Sequence, residues 1–246
     1  MVRTRIQGKT DSSILIYYWE KNDTASISFL LSIRMELVTA KTKDTKQNGP
    51  LNIKRIDNSI YFSDRITYHS AHVLQTLLKG LEIDILEDVE KGIHNIEKEK
   101  DTKRFITIDV QPKPIVLYLT THGGLVHAAL SVVDCILGLK VPVYTVISGY
   151  VASAGTLISL AGSKRFMTPN SFMMVHEIRS GFWGKYSDAR IEYENVTKLM
   201  EHITQYYLEK TKITKEKLTE MLRTDTDLTA KECLDLGLVD VVSYSL

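Results

Sequence analysis

Three distant stretches of the chain carry the side-chain types that, brought together, could split an amide. Ser153 lies in GYVASAGTLISLAG, His176 follows the apolar run FMMV, and Asp225 shares RTDTDLTA with Asp227. A serine hydroxyl attacks a carbonyl once a base takes its proton; histidine is the usual base, and a carboxylate fixes the tautomer of its ring. The tetrahedral oxyanion that results needs aimed N–H donors. Ala152, Ala154 and Gly155 leave space for a substrate carbonyl beside the backbone, and the Ala154 N–H is expected to point where the oxyanion forms. A second donor is expected from Gly124 in THGGL, where a turn without side chains lets a peptide plane approach a ligand.

Each feature also has a plainer explanation. Small residues around a serine are ordinary helix packing, and a histidine ending a strand is often satisfied locally. Asp225 could cap the following helix, although Asp227 and Thr229 are as well placed. Valine at position 151 excludes the Gly-x-Ser-x-Gly elbow, and the chain order Ser, His, Asp differs from those of the α/β-hydrolase, chymotrypsin and subtilisin classes. His122 and His127 stand five residues apart off a turn, which is poor geometry for a metal site, and a serine mechanism with an acyl-enzyme requires no metal or organic cofactor.

These residues need a scaffold. The chain has 246 residues, 43% apolar and 25% charged, enough for one large domain or two small ones. With 31 basic against 30 acidic residues the net charge is +1, so no global field draws it to nucleic acid or an anionic membrane. Cys135 and Cys233 each lie in an apolar, helix-like stretch, which suits a reducing compartment. No secretory signal is expected at the N-terminus, and a cytoplasmic location is the default, with an organelle stroma or matrix also compatible. Val141 to Gly162 carries no charge and is long enough to span a bilayer, but its β-branched start, the break at Ser148-Gly149 and its small-residue end read as strand, turn and buried helix.

SILIYYW and SISFLLSIRMELV, within residues 1 to about 40, could pair as a hairpin or cover an edge; KTKDTKQNGP then reads as a linker. From about Ile53 an α/β pattern begins. A strand is expected at Ile60 to Phe62 and a helix over Ser70 to Lys79, ended by Gly80. Residues 84 to 113 are dense in charge and read as a solvated excursion holding one helix and a strand-like FITIDV. Beyond it come the strand IVLYL, the Gly-Gly turn, the helix AALSVVDCILGL and the strand VPVYTVI, the order of a βαβ crossover. A small-residue helix from Ser153, short strands at RFM and FMMV, and an amphipathic helix from about Ser187 to Lys210 follow. Helices near Lys215 to Leu222 and Ala230 to Leu236 and a strand LVDVV close the chain.

In this setting YLTTHGGLVHAALSVVDCI, SGYVASAGTLISLAG, RFMTPNSFMMVH and LTAKECLDLGLVD resemble, in order, four motifs of the proteolytic subunit of the Clp protease, the caseinolytic peptidase family. The resemblance runs from about Ile60 to Val242. It implies a crotonase-like fold of repeated ββα units with a protruding helical handle, here about residues 182 to 210. It places the nucleophile on Ser153, the base on His176, and the oxyanion donors on Gly124 and Ala154. Counting back from Leu228-Thr229-Ala230, the family's aspartate falls on Asp225 and not on Asp227. Implied partners are further copies in stacked seven-membered rings, or paralogous ring subunits, an AAA+ unfoldase, and unfolded polypeptides as substrate.

The domain layout expected on this basis is an extension and linker over 1–55 and a peptidase domain over 56–246 with a charged insertion near 84–113. Three departures stand out. His122 replaces the proline usual before Gly-Gly, Glu177-Ile178 replaces the common Gln-Pro, and two residues are missing near Gly162-Ser163. The rival readings are a ring subunit without activity and a crotonase-type acyl-CoA enzyme, which needs no such Ser, His, Asp set.

Overall fold

The computed structural model describes residues 50–98, 112–181 and 183–245. The two apolar stretches expected within residues 1–40, and FITIDV, lie outside them.

Strands β1 (Ile53–Ile56) and β2 (Ser59–Phe62) form an antiparallel hairpin around Asp57, which takes a left-handed conformation in the turn. Ile60 and Phe62 point inward and are buried. Helix α1 (Tyr68–Lys98) starts on a reciprocal cap, with the Ser70 N–H donating to Thr67 Oγ1 at 3.1 Å and the Thr67 N–H to Ser70 Oγ at 2.9 Å. Here the structure corrects the sequence reading. Gly80 does not end the helix: space around it is open, and Leu78 and Leu81 on either side are buried in one core. Glycine costs an interior helical position about 1 kcal/mol, which that burial outweighs. The charged stretch beginning at residue 84 therefore enters as more of α1, half-buried to exposed over residues 84–93.

Strand β3 (Ile115–Thr121), helix α2 (Val126–Gly138) and strand β4 (Val143–Ala152) form the expected crossover, with β3 and β4 parallel. The near-continuous apolar run of β3 fits a strand covered on both faces. Beyond β4 lie α3 (Ala154–Leu160), β5 (Lys164–Met167), β6 (Phe172–Met174), α4 (Tyr186–Lys210), α5 (Lys215–Thr224), β7 (Asp227–Thr229), α6 (Ala230–Asp235) and β8 (Val241–Val242). The sheet order is β1-β2-β3-β4-β5-β8, and β6 and β7 form a branch from the end of β4.

That branch depends on β4 not stopping at Ser148-Gly149, where the sequence suggests a turn. The strand continues through an irregularity: Leu119 pairs with Ile147 but Thr121 with Val151, and Gly149 takes φ 84°. Before the bulge β4 pairs with β5; after it, residues 150–152 pair with β6. The uncharged segment is thus a long strand and a seven-residue helix, and among the described residues no helix is long and apolar enough to cross a membrane.

The core lies between the sheet and helices α1, α2 and α3 and extends to Ile203 and Tyr207 of α4. Toward its N-terminus α4 is exposed along most of its length, so it projects from the body as a handle. Cys135 is half-buried and Cys233 buried, both as free thiols.

Candidate active site

Three strand registers meet at the end of β4. In the β3–β4 pairing Thr121 faces Val151, so two residues further on Gly123 comes beside Ser153. A Cβ added at Gly123 would lie 2.6 Å from the Ser153 Cβ. In the parallel β4–β6 pairing Ala152 faces Met174, and the Ser153 N–H donates to the Met174 carbonyl at 2.9 Å. In the antiparallel β6–β7 pairing Met174 faces Asp227; the same register two residues beyond places His176 opposite Asp225. Residues far apart in the chain are neighbours because adjacent strands end together.

Ser153 caps α3 with φ 56° and ψ −130°, a backbone region that L-residues avoid. The described residues contain two other non-glycine positive-φ positions, Asp57 and Asp225, so two of the three belong to the predicted triad. Strain of this kind persists where surroundings over-determine it, and it concentrates at functional sites. Ala154 opens α3, so its N–H has no partner within the helix.

Gly124 is held by an isolated parallel bridge to Ile66. The Ile66 N–H donates to the Gly123 carbonyl at 2.9 Å, and the Leu125 N–H donates to the Ile66 carbonyl at 2.8 Å. In a parallel bridge these flanking groups face the partner, which leaves the Gly124 N–H on the other side of the chain. A Cβ at Gly124 would stand 2.1 Å from the Ile66 oxygen, so the turn admits no side chain there. The turn is braced below: Thr121 Oγ1 donates to the Asp64 carbonyl at 2.6 Å and accepts from the Gly123 N–H at 3.0 Å. His122, in place of proline, does not open this turn. Its ring tilts against Tyr150 at 5.1 Å.

Ser153, Ala154, Gly124 and His176 line one open cleft of about 840 Å³, together with Val126, Leu157, Met200 and Ile203. Asp225 stands behind His176, its Oδ1 3.8 Å from His176 Nδ1. That exceeds a hydrogen bond, and Nδ1 is buried without a partner among the described residues. The other carboxylate oxygen, Oδ2, is bound by the Arg179 guanidinium. Arg179 carries no motif that marks it in the sequence, and it reaches Asp225 because the Glu177 N–H ties its own loop to the Leu222 carbonyl of α5 at 2.8 Å.

The alternatives to Asp225 have other work. Thr229 caps α6 in a reciprocal box with Glu232, donating its N–H to Glu232 Oε2 at 2.8 Å. Asp227 accepts from the Tyr150 hydroxyl at 2.9 Å, and burial together with that carboxylate pushes the phenol up to about 12. Asp225 itself ends α5 in the left-handed conformation, φ 48° and ψ 39°, that Asp tolerates better than most residues. Among the described residues no group of three or more His, Cys, Asp or Glu side chains could hold a metal ion.

Residues 66–245 match the Clp protease family, and the chain belongs to that family. Its fold is correspondingly similar to a point mutant of ClpP1 from Listeria monocytogenes, at 25% identity and a TM-score of 0.55 over 77% of this chain and 92% of that one. By family and fold the chain is a ClpP-like peptidase, built on the ClpP-type α/β architecture.

Proposed function

We propose that the chain is a serine endopeptidase subunit that cleaves unfolded polypeptides inside a self-compartmentalised ring assembly fed by an AAA+ unfoldase. The observation that carries the reading is the strained Ser153, set between Gly123-Gly124 and the His176 strand, with the Asp225 carboxylate next behind the imidazole. Ser153 Oγ attacks the peptide carbonyl while His176 takes its proton. Asp225 holds the imidazole tautomer and stabilises the imidazolium; the Gly124 and Ala154 N–H groups receive the oxyanion; water then hydrolyses the acyl-enzyme. The Clp family membership and the bound-in-place aspartate both weigh against a crotonase-type thioester enzyme, which has no use for such a set.

One observation favours a second reading, a ring subunit without activity: the 3.8 Å gap at His176 Nδ1 and the grip of Arg179 on Asp225. A serine-directed fluorophosphonate probe separates the two. Labelling of the wild-type chain and not of Ser153→Ala, with turnover of a fluorogenic peptide by the same sample, is the expected result. An assembled sample that neither labels nor turns over would establish the scaffold role instead.

A further inference from the structure

On the buried side of Ser153, two hydroxyls join the handle helix to the backbone of the proposed nucleophile. Thr156 is fully buried and donates its Oγ1–H to the Ser153 carbonyl at 2.6 Å, beside its own N–H at 3.0 Å. The same Oγ1 is hydrogen-bonded to the phenol of Tyr207 on α4. Since the threonine proton is committed to the Ser153 carbonyl, Thr156 Oγ1 accepts in that second bond and Tyr207 donates. Tyr207 is 2% exposed, and burial pushes its phenol up to about 12, so it keeps its proton throughout the neutral range.

The chain of bonds ends on the carbonyl of a residue held at φ 56° and ψ −130°. A serine left to itself would relax from that region, and its hydroxyl would swing with the backbone. The outer part of α4 projects from the body, whereas Ile203 and Tyr207 anchor its inner half, so a displacement of the helix that reaches this anchor bears on the Tyr207–Thr156 bond.

We propose that Tyr207 is a positioning residue that acts through Thr156 to hold the Ser153 carbonyl, and thereby links the placement of α4 to the rate of acylation. This rests on the peptidase reading of Ser153. Tyr207→Phe is the informative variant, because it keeps the ring in the wall of the cleft and removes one hydroxyl.

The test compares wild type with Tyr207→Phe, Thr156→Val, Thr156→Ser and the double variant Tyr207→Phe/Thr156→Val in the full chain. Tyr207→Phe is expected to slow fluorophosphonate labelling and peptide kcat roughly three- to tenfold, the worth of about one neutral hydrogen bond, with KM near its wild-type value. Thr156→Ser should label at close to the wild-type rate, and the double variant should be no slower than Thr156→Val. Amide hydrogen exchange over residues 153–157 should quicken in Tyr207→Phe while that of α2 stays as it was. Unchanged labelling by Tyr207→Phe, or losses that multiply in the double variant, would overturn the proposal. If the wild-type chain does not label at all, it is the peptidase reading that fails. Exchange then decides the tether by itself: unchanged rates at 153–157 rule it out, and faster rates keep it as a hold on the backbone.

Discussion

The aspartates two residues apart in TDTD differ in what holds them, and the proposed orienting role for Asp225 rests on that difference. Asp227 is hydrogen-bonded by Tyr150, whereas Asp225, just before β7, has one oxygen 3.8 Å from His176 Nδ1. Asp225→Asn should therefore keep the fold and lower peptide kcat/KM by roughly ten-thousandfold through the wrong imidazole tautomer. Asp227→Asn should stay within about tenfold of wild type, since it alters one exposed hydrogen bond. Steady-state assays of the two variants check this; the reverse pattern would move the orienting role to Asp227. Composition and spacing left both aspartates and Thr229 open as helix caps. Only the resemblance pointed to Asp225 as the orienting carboxylate, and the Thr229–Glu232 box shows which of the three residues caps the helix. Arg179 and Tyr207 were not legible, because an arginine in a loop and a tyrosine on an amphipathic helix are ordinary there, and their partners lie 46 and 51 residues away.

At the scale of elements, periodicity located the strands and helices well where apolar runs were long and failed where a single residue was read as punctuation. Gly80 and Ser148-Gly149 both suggested an end; in both places burial on either side carries the element through. The short strands β1 (IKRI) and β7 (DLT) escaped notice because they are mostly exposed and carry no apolar run. Elements at the far edge are joined by charge. Arg165 of β5 donates to the carbonyls of Lys210 at 2.8 Å and Gly237 at 3.0 Å, and its Nε donates to Asp240 Oδ2 at 3.1 Å, so one side chain ties β5 to the end of α4 and the entry to β8. Partial burial pushes the Asp240 carboxyl up, but the Arg165 hydrogen bonds and charge, with Lys164, outweigh it and hold the group below the ordinary aspartate value of 3.8. A carboxyl lowered by folding contributes stability that is complete above that ordinary value and is lost as pH falls through the folded one. Asp240→Asn should thus lower Tm by a constant amount between about pH 5 and 8, and the gap to wild type should close as pH drops below the ordinary aspartate range. Thermal melts of both proteins across that series test the linkage; a gap that widens in acid would contradict it.

For the molecule as a whole, the cleft and the handle make different demands. The cleft is complete within one chain, since β3, β4, β6 and β7 deliver all of its proposed machinery. The handle is not. Trp183 is 100% exposed, Tyr186 92%, Tyr193 74% and Ile191 58%, all within a dozen residues at its outer end. Isolated apolar residues on a surface need no explanation, but large aromatics grouped on a projecting element mark a surface meant to be covered. The occupant that fits the family is a second copy of this chain or a paralogous ring subunit, which would bury these rings against a matching handle. Replacing Trp183 and Tyr193 with serine removes that apolar area without touching the cleft or the buried inner half of α4. Native mass spectrometry of the wild-type chain should show a multi-subunit assembly, and the double variant should shift toward smaller species while each subunit keeps its Tm. An assembly mass untouched by the two substitutions would place the subunit contact elsewhere, and a wild-type chain monomeric at micromolar concentration would mean that the ring needs other subunits to form.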